Sequence, residues 1–180
     1  MNNRITLISI LQPEALNKID ELVIKLAEKL CKVPFSKYVE DRVFADTLPY
    51  HFTLSAWDIS EEHEVINKLS SISFNNLKLL VDGIEIMNGK ENSYVLYFNI
   101  KDNDELKLLQ KSIYQILPSE KYNPDKFKFH ITIHIDKDYE KIISMRNTLM
   151  QDFIPFELEV DTFGLFEIYP ANLVAQFKSN

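Results

Sequence analysis

Two short stretches of this 180-residue sequence combine side chains that could carry acid–base chemistry. Residues 50–54 read Tyr-His-Phe-Thr-Leu, and residues 129–133 read Phe-His-Ile-Thr-Ile. Both follow the order aromatic, His, apolar, Thr, apolar. Because side chains of a β-strand alternate between its faces, the His and the Thr of each stretch would share one face, with the apolar residues packed behind. An imidazole and a hydroxyl could then reach the same phosphate-sized group.

Two histidines on opposite sides of one phosphate would suit phosphodiester cleavage. One imidazole would take the proton of the attacking oxygen, and the other would protonate the leaving oxygen. Thr53 and Thr132 would donate hydrogen bonds to the non-bridging oxygens as negative charge builds up there. We therefore predict that His51 and His130 are catalytic and that Thr53 and Thr132 bind phosphate. This chemistry requires no metal ion and no cofactor.

Other residues near the two stretches could extend such a site. Lys128 would share the face of His130 and could meet a second phosphate, although a solvated basic edge is an equal alternative. Trp57, six residues after His51, would lie on the same face and could stack on a base, the alternative being ordinary packing. His134 would also share the face of His130. A metal site formed by these two histidines is rejected, because four residues along a strand separate the rings by ~13 Å.

The remaining pattern predicts an α+β fold of strands and helices in alternation. The expected strands are 5–11, 50–57, 77–86, 94–100, 127–135, 156–168 and 173–177, and the expected helices begin near residues 13, 58, 104 and 139. A hairpin is expected around Asn88-Gly89. The order strand, helix, strand, helix, strand occurs over 4–86 and again over 94–169. This repeat predicts a single domain, 1–180, of two pseudo-symmetric lobes. Each lobe would have a mostly antiparallel sheet with outer helices, and the active-site cleft would lie between the lobes.

Composition and charge restrict the function further. The net charge of -7 disfavours binding to long duplex nucleic acid, and three glycines cannot supply a phosphate-binding loop or a dinucleotide fingerprint. Cys31 is the only cysteine, so no intrachain disulfide is possible. No apolar run approaches the ~18 residues of a membrane helix. We expect a cytoplasmic monomer without a membrane partner. The loop over 34–49 could form a flap with Lys37, Tyr38 and Arg42.

The two His-x-Thr motifs resemble those of the two-histidine phosphoesterase superfamily, which includes 2′-5′ RNA ligase-like proteins and 2′,3′-cyclic phosphodiesterases. The resemblance covers nearly the whole chain and implies that His51 and His130 form the acid/base pair. It implies hydrolysis of a 2′,3′-cyclic phosphate or a related small or RNA-terminal phosphodiester. Three alternatives remain. The chain could be an RNA-end 2′-5′ ligase or phosphodiesterase, a non-catalytic module that binds nucleotides or RNA ends, or a structural protein with histidines on a wet sheet face.

Overall fold

The computed structural model describes residues 4–26, 50–119, 122–168 and 171–180. Within these residues the helices are α1 (Pro13–Leu26), α2 (Glu62–Leu69, after a short 3₁₀ turn), α3 (Asp104–Ile116) and α4 (Tyr139–Asp152). The strands are β1 (Arg4–Ser9), β2 (Thr53–Asp58), β3 (Leu77–Asn88), β4 (Tyr94–Ile100), β5 (His130–Asp136), β6 (Phe156–Val160), β7 (Thr162–Ile168) and β8 (Ala171–Lys178). Cys31 and the predicted flap over 34–49 lie outside the described residues.

The described strands form two four-stranded sheets in which every pairing is antiparallel. The first sheet has the order β2-β1-β7-β8, and the second has the order β5-β4-β3-β6. The first motif leads into β2, which lies at one end of the first sheet beside β1, and the second motif leads into β5, which lies at one end of the second sheet beside β4. This arrangement confirms the predicted α+β fold with two similar lobes.

The division into sheets does not follow the division of the chain into the half-repeats 4–86 and 94–169. Strand β3, from the first half, pairs with β4 and belongs to the second sheet. The single strand predicted over 156–168 is two strands, because the chain leaves the second sheet after Val160 and enters the first at Thr162. Between them Asp161 accepts hydrogen bonds from the Thr162 hydroxyl at 2.8 Å and from the Gln12 amide at 2.9 Å. These side-chain bonds hold the crossover in place.

Helices cover one face of each sheet, and the apolar side chains between them form one continuous core. In the first sheet, Leu7 and Phe163 line a small cavity together with Leu69 of α2 and Ile113 of α3. In the second sheet, α4 packs against the face that carries Ile84, Phe98 and Ile131, and its Arg146 side chain donates to the Ile84 carbonyl at 2.9 Å. Of the described helices, none has the length and apolar character needed to cross a membrane.

The hairpin between β3 and β4 turns later than predicted. Gly89 still pairs with Ser93 across the hairpin, and the tight turn covers 90–93, where Ser93 N donates to the Lys90 carbonyl at 3.0 Å. The two central residues, Glu91 and Asn92, have φ values of 53° and 57°. Two positive φ angles are what a type I′ hairpin turn requires, because its twist matches that of the strands. Asn88-Gly89 therefore ends β3 and does not form the turn itself.

Each motif strand contains a β-bulge immediately after its threonine. In the first sheet Thr53 pairs with Ile8 and Ser55 pairs with Leu7, so Leu54 is the extra residue. In the second sheet the extra residue is Ile133, the equivalent position of the second motif. A bulge reverses the face on which all later side chains of the strand point. The pseudo-symmetry of the two lobes thus extends to an irregularity that alternation alone does not predict.

Candidate active site

The two motifs lie next to each other in space. Phe52, in the first motif, contacts Phe129, in the second, with ring centroids 6.1 Å apart in an edge-to-face arrangement. Both rings are almost completely buried. Each is adjacent in the chain to a motif histidine, His51 in one case and His130 in the other. The contact therefore brings together the chain segments in which β2 and β5 begin, and these segments carry His51 and His130.

His130 and the two motif threonines lie on the sheet faces opposite the helices. Thr53 pairs with Ile8, which points away from the α2 and α3 side of the first sheet, and His51 lies two residues before the first residue of β2. His130 pairs with Asn99 across β4, and Thr132 pairs with Tyr97, on the face opposite α4. All four motif side chains are half-buried. For the second motif this is the same-face arrangement that the sequence predicts, and for His51 and Thr53 the shared face stays a prediction.

The hydrogen bond of His130 determines which of its ring nitrogens carries a proton. Nδ1 lies 2.8 Å from the carbonyl oxygen of Lys128. Because a carbonyl can only accept, Nδ1–H is the donor, and in the neutral ring Nε2 keeps its lone pair. Burial lowers the pKa of His130 below its ordinary value, with a smaller contribution from the nearby Lys128 charge, while the bond to the carbonyl opposes this shift. In the neutral ring, Nε2 is therefore the nitrogen that can accept a proton.

A network that the sequence reasoning missed lies beside His130. The Tyr97 ring meets the His130 ring at 5.3 Å between centroids, and its hydroxyl donates to Oε2 of Glu85 at 2.8 Å. The same oxygen accepts from Nζ of Lys128 at 2.6 Å. These hydrogen bonds lower the pKa of Glu85 and, together with smaller effects, raise the pKa of Lys128. Glu85 and Tyr97 are paired across β3 and β4, so only the strand register brings them to His130.

Lys128 lies on the His130 side as predicted, and its ammonium is held by a carboxylate. Its side chain is half-exposed and also lies over the Tyr97 ring at 5.5 Å. A second phosphate would therefore compete with Glu85 for this cation. Whether Lys128 contacts substrate stays a prediction.

Trp57 does not share the face of the first motif, and this part of the prediction is wrong. The bulge at Leu54 turns Trp57 to the face of its partner Ile5, which is the helix-covered face. The side chain is 5% exposed, and its indole N–H donates to the Leu117 carbonyl at 3.2 Å. Trp57 is therefore a core residue that fastens the end of α3 to β2.

His134 also lies on the opposite face from His130, for the same reason. The bulge at Ile133 pairs His134 with Leu96, on the side where α4 packs. Its Nε2 lies 3.5 Å from a carboxylate oxygen of Asp136, and Lys141 of α4 pairs with the same oxygen at 2.5 Å. The expected shared face with His130 is thus wrong. The two rings are on different sides of the sheet and cannot bind one ion together.

The segment before β5 contributes aromatic rings to the junction between the sheets. Tyr122 contacts Phe127 at 5.2 Å, and Phe127 contacts both Phe129 at 5.3 Å and His130 at 6.2 Å. At the start of this segment, the Ser119 hydroxyl donates to the Ala56 carbonyl of β2 at 2.7 Å. Ser119 thus contacts β2, and Phe127 packs against the rings of Phe129 and His130.

Several solved structures share this fold. E. coli LigT in apo form aligns with a TM-score of 0.59 at 14% identity, covering 99% of this chain and 98% of that chain. TT0787 of Thermus thermophilus aligns with a TM-score of 0.58 at 17% identity, covering 97% of each chain. Kluyveromyces marxianus Usb1 aligns with a TM-score of 0.51 at 13% identity, covering 96% of this chain and 97% of that chain. No curated protein sequence matches.

A family model supplies the classification that structural likeness at such low identity cannot. The model of the 2′-5′ RNA ligase superfamily matches residues 11–170, which include both His-x-Thr motifs. This match confirms the resemblance noted from the motifs. Since it spans most of the sequence, the chain belongs to the 2′-5′ RNA ligase superfamily.

Proposed function

We propose that this protein is a metal-independent phosphoesterase that cleaves a 2′,3′-cyclic phosphate or a related small or RNA-terminal phosphodiester. The observation that supports this most strongly is the contact between Phe52 and Phe129, at 6.1 Å, which joins the ends of the two motif strands. Because Phe52 follows His51 and Phe129 precedes His130 in the chain, this contact supports a site in which two imidazoles approach one phosphate. Thr53 and Thr132 would then bind its non-bridging oxygens.

The surroundings of His130 suit the role of general base. Its Nδ1 is occupied by the Lys128 carbonyl, and burial lowers its pKa, which favours the neutral ring with Nε2 available. Nε2 would take a proton from water as the water oxygen attacks phosphorus. His51 would start protonated and would give its proton to the departing 2′ or 3′ oxygen of the ribose. The bond from phosphorus to that oxygen breaks, and a nucleoside monophosphate is released.

The solved neighbours support a nucleotide as the class of substrate. E. coli LigT has been crystallised in complexes with 3′-AMP, with ATP and with phosphate. A compact substrate also suits the net charge of -7 of this chain, because a long polyanion would be repelled. We further propose that the protein is a monomer and that it acts in the cytoplasm.

Turnover of 2′,3′-cyclic nucleotides without added metal tests the proposal. His130→Ala and His51→Ala should each lower the rate by on the order of 10²–10⁴, the usual contribution of a positioned acid or base. His63→Ala is the matched control, because His63 is exposed at the start of α2. Resolving the 2′- and 3′-phosphate products identifies the oxygen that leaves. An unchanged rate in both motif variants would contradict the roles of the two histidines, and no turnover of cyclic nucleotides by the wild type would contradict the cyclic-phosphate substrate.

The family match favours a second candidate function. The model is that of the 2′-5′ RNA ligase superfamily, so an RNA end with a 2′-5′ linkage is an alternative substrate for the same residues. Incubation with a 2′-5′-linked dinucleotide and with RNA ends suitable for joining separates the two reactions. Cleavage or joining of these without turnover of cyclic nucleotides would favour the RNA-end enzyme. Micromolar binding of either substrate without any product would favour a non-catalytic module.

A further inference from the structure

One carboxylate oxygen on the site face accepts hydrogen bonds from two residues that contact His130. Oε2 of Glu85 accepts a hydrogen bond from the Tyr97 hydroxyl at 2.8 Å and another from Nζ of Lys128 at 2.6 Å. Glu85 is not itself bonded to His130. Each of its two partners, however, touches the imidazole in a different way. Two separate routes therefore connect Glu85 to the proposed base.

The first route passes through Lys128. The carbonyl of this residue accepts the Nδ1–H of His130 at 2.8 Å, while its ammonium is anchored on Glu85. Lys128 precedes the first residue of β5, so no ladder hydrogen bond of β5 holds its backbone. Fixing the far end of its side chain restrains the position of the carbonyl. The carbonyl in turn fixes both the tautomer and the orientation of the imidazole.

The second route passes through Tyr97. Its ring is 2% exposed and stands edge-on to the His130 ring, with 5.3 Å between centroids and 64° between planes. It also lies directly across the ladder from Thr132, the proposed phosphate-binding residue. The hydrogen bond to Glu85 holds the tyrosine hydroxyl, so the Tyr97 ring limits the movement of the imidazole that it contacts. Glu85 thus restrains the ring of His130 from two sides.

We propose that Glu85 is the positioning residue of the site, and that it holds His130 in the Nδ1-protonated tautomer through Lys128 and Tyr97. The inference rests on the proposed role of His130 as general base. A base acts only when its lone pair faces the proton to be removed, so a ring that exchanges tautomers or tilts is a weaker catalyst. Residues that orient a catalytic or ligating histidine from a distance are commonly worth 10–100-fold in activity.

The electrostatic surroundings of His130 make the same proposal measurable. Among the described residues on the site face, the charged or titratable groups around this ring are Lys128, Tyr97 and Glu85. Asp82 is hydrogen-bonded to the neighbouring Asn99 at 2.6 Å, and His51 belongs to the adjacent motif. Glu85 neutralises the ammonium of Lys128. Without that carboxylate, the uncompensated cation would further disfavour the charged imidazole. The pKa of His130 should therefore fall when Glu85 becomes neutral.

The experiment compares Glu85→Gln with Glu159→Gln. Glu159 is a matched control, because it forms a cross-strand pair with Lys78 at 3.5 Å in the same sheet, on β6 rather than beside β5. The first measurement is the ¹⁵N spectrum of the His130 ring in substrate-free protein, over a range of pH. The wild type and the control should show the Nδ1-protonated tautomer. Glu85→Gln should show a mixture of tautomers and a lower pKa.

The second measurement is turnover. In Glu85→Gln, kcat should fall by about 10–100-fold while KM changes by less than about 3-fold, since a positioning residue does not contact substrate. Tyr97→Phe keeps the ring and loses only the hydroxyl. It should lower kcat by a smaller factor, and combining it with Glu85→Gln should add little, because both act through one network. Should Glu85→Gln fold poorly, Tyr97→Phe carries the same test.

The outcomes separate this inference from the proposed function. An unchanged tautomer, an unchanged pKa and an unchanged kcat in Glu85→Gln would overturn the role of Glu85 and leave the phosphoesterase proposal intact. A wild type without turnover would contradict the proposed function, and the ring spectrum alone would then decide whether Glu85 fixes His130. Equal losses in Glu85→Gln and Glu159→Gln would also overturn the inference, because they would show a general effect of losing an ion pair.

Discussion

Two histidines that look equivalent along β5 occupy different chemical environments. His130 faces the candidate site, with Nδ1 bonded to a carbonyl, and His134 lies on the α4 side, near the carboxylate of Asp136. Burial is the main cause of a lowered pKa in both. For His130 this would favour the proposed catalytic role, because a neutral ring is a base. For His134 the consequence concerns stability, because the charged form is disfavoured in the folded protein.

The stability of the protein should decrease on acidification through the histidine range. A histidine whose pKa is lowered on folding binds protons more readily in the unfolded chain, so the free energy of unfolding rises with pH between the folded value and the ordinary value of 6.5. Urea unfolding should therefore give a larger free energy at pH 7.5 than at pH 5.5. His134→Gln should reduce this difference, and the exposed control His63→Gln should keep it. A wild type equally stable at both pH values would contradict the assignment.

Trp57 provides a test of the face assignments at a single residue. Trp57→Phe keeps most of the buried area but removes the N–H that binds the Leu117 carbonyl. A buried acceptor left without its donor costs about 1–3 kcal/mol, so the free energy of unfolding should fall by roughly that amount. Because Trp57 lies on the helix-covered face, kcat/KM should change by less than about 2-fold. A large rise in KM with normal stability would instead place Trp57 against substrate.

At the scale of elements, the bulge after each threonine determines which side chains belong to the site. The bulges at Leu54 and Ile133 end the strict alternation, so the side chains after each motif threonine point to the other face of the sheet than alternation predicts. β-Bulges are common next to active sites, where they redirect a side chain without ending the strand. The same irregularity in both lobes accounts for the positions of Trp57 and His134.

The contact between the two motif strands should be measurable as a coupling energy. Phe52→Leu and Phe129→Leu should each destabilise the protein, since both rings are buried. The double variant should be less destabilised than the sum, by about 0.5–1.5 kcal/mol, because the edge-to-face contact at 6.1 Å is lost only once. Urea unfolding of the four proteins gives this value.

A matched control uses Phe98, which packs against Phe156 at 6.1 Å and lies in the second sheet. Phe52→Leu combined with Phe98→Leu should be additive within about 0.3–0.5 kcal/mol if the two rings do not interact. Full additivity of the Phe52 and Phe129 changes would argue against the junction that joins the two motifs.

At the scale of the whole molecule, the net charge of -7 opposes long anionic substrates. Long-range repulsion between like charges is screened by salt, with a Debye length of about 30 Å at 0.01 M and about 8 Å at 0.15 M ionic strength. For an RNA oligonucleotide with a terminal cyclic phosphate, kcat/KM should therefore rise as salt increases over this range. For a cyclic mononucleotide the change should be smaller. Steady-state rates for both substrates test this, and a steep fall for the oligonucleotide would indicate a basic RNA-binding surface instead.

The sequence alone predicted the α+β class, most of the strands and helices, and the two motifs. These features depend on local periodicity and on residue types, such as a His and a Thr two positions apart in each motif. The sequence could not predict which distant strands share a sheet, because the pairing between β3 and β6, or the crossover at Asp161, is decided by packing of the whole chain. It also could not predict the bulges, because a bulge is a property of the register between two strands. For that reason Trp57 and His134 were assigned to the wrong face, and Glu85 and Tyr97 were missed. Their place beside His130 exists only because three strands align them, a relation between distant parts of the chain that only the tertiary structure creates.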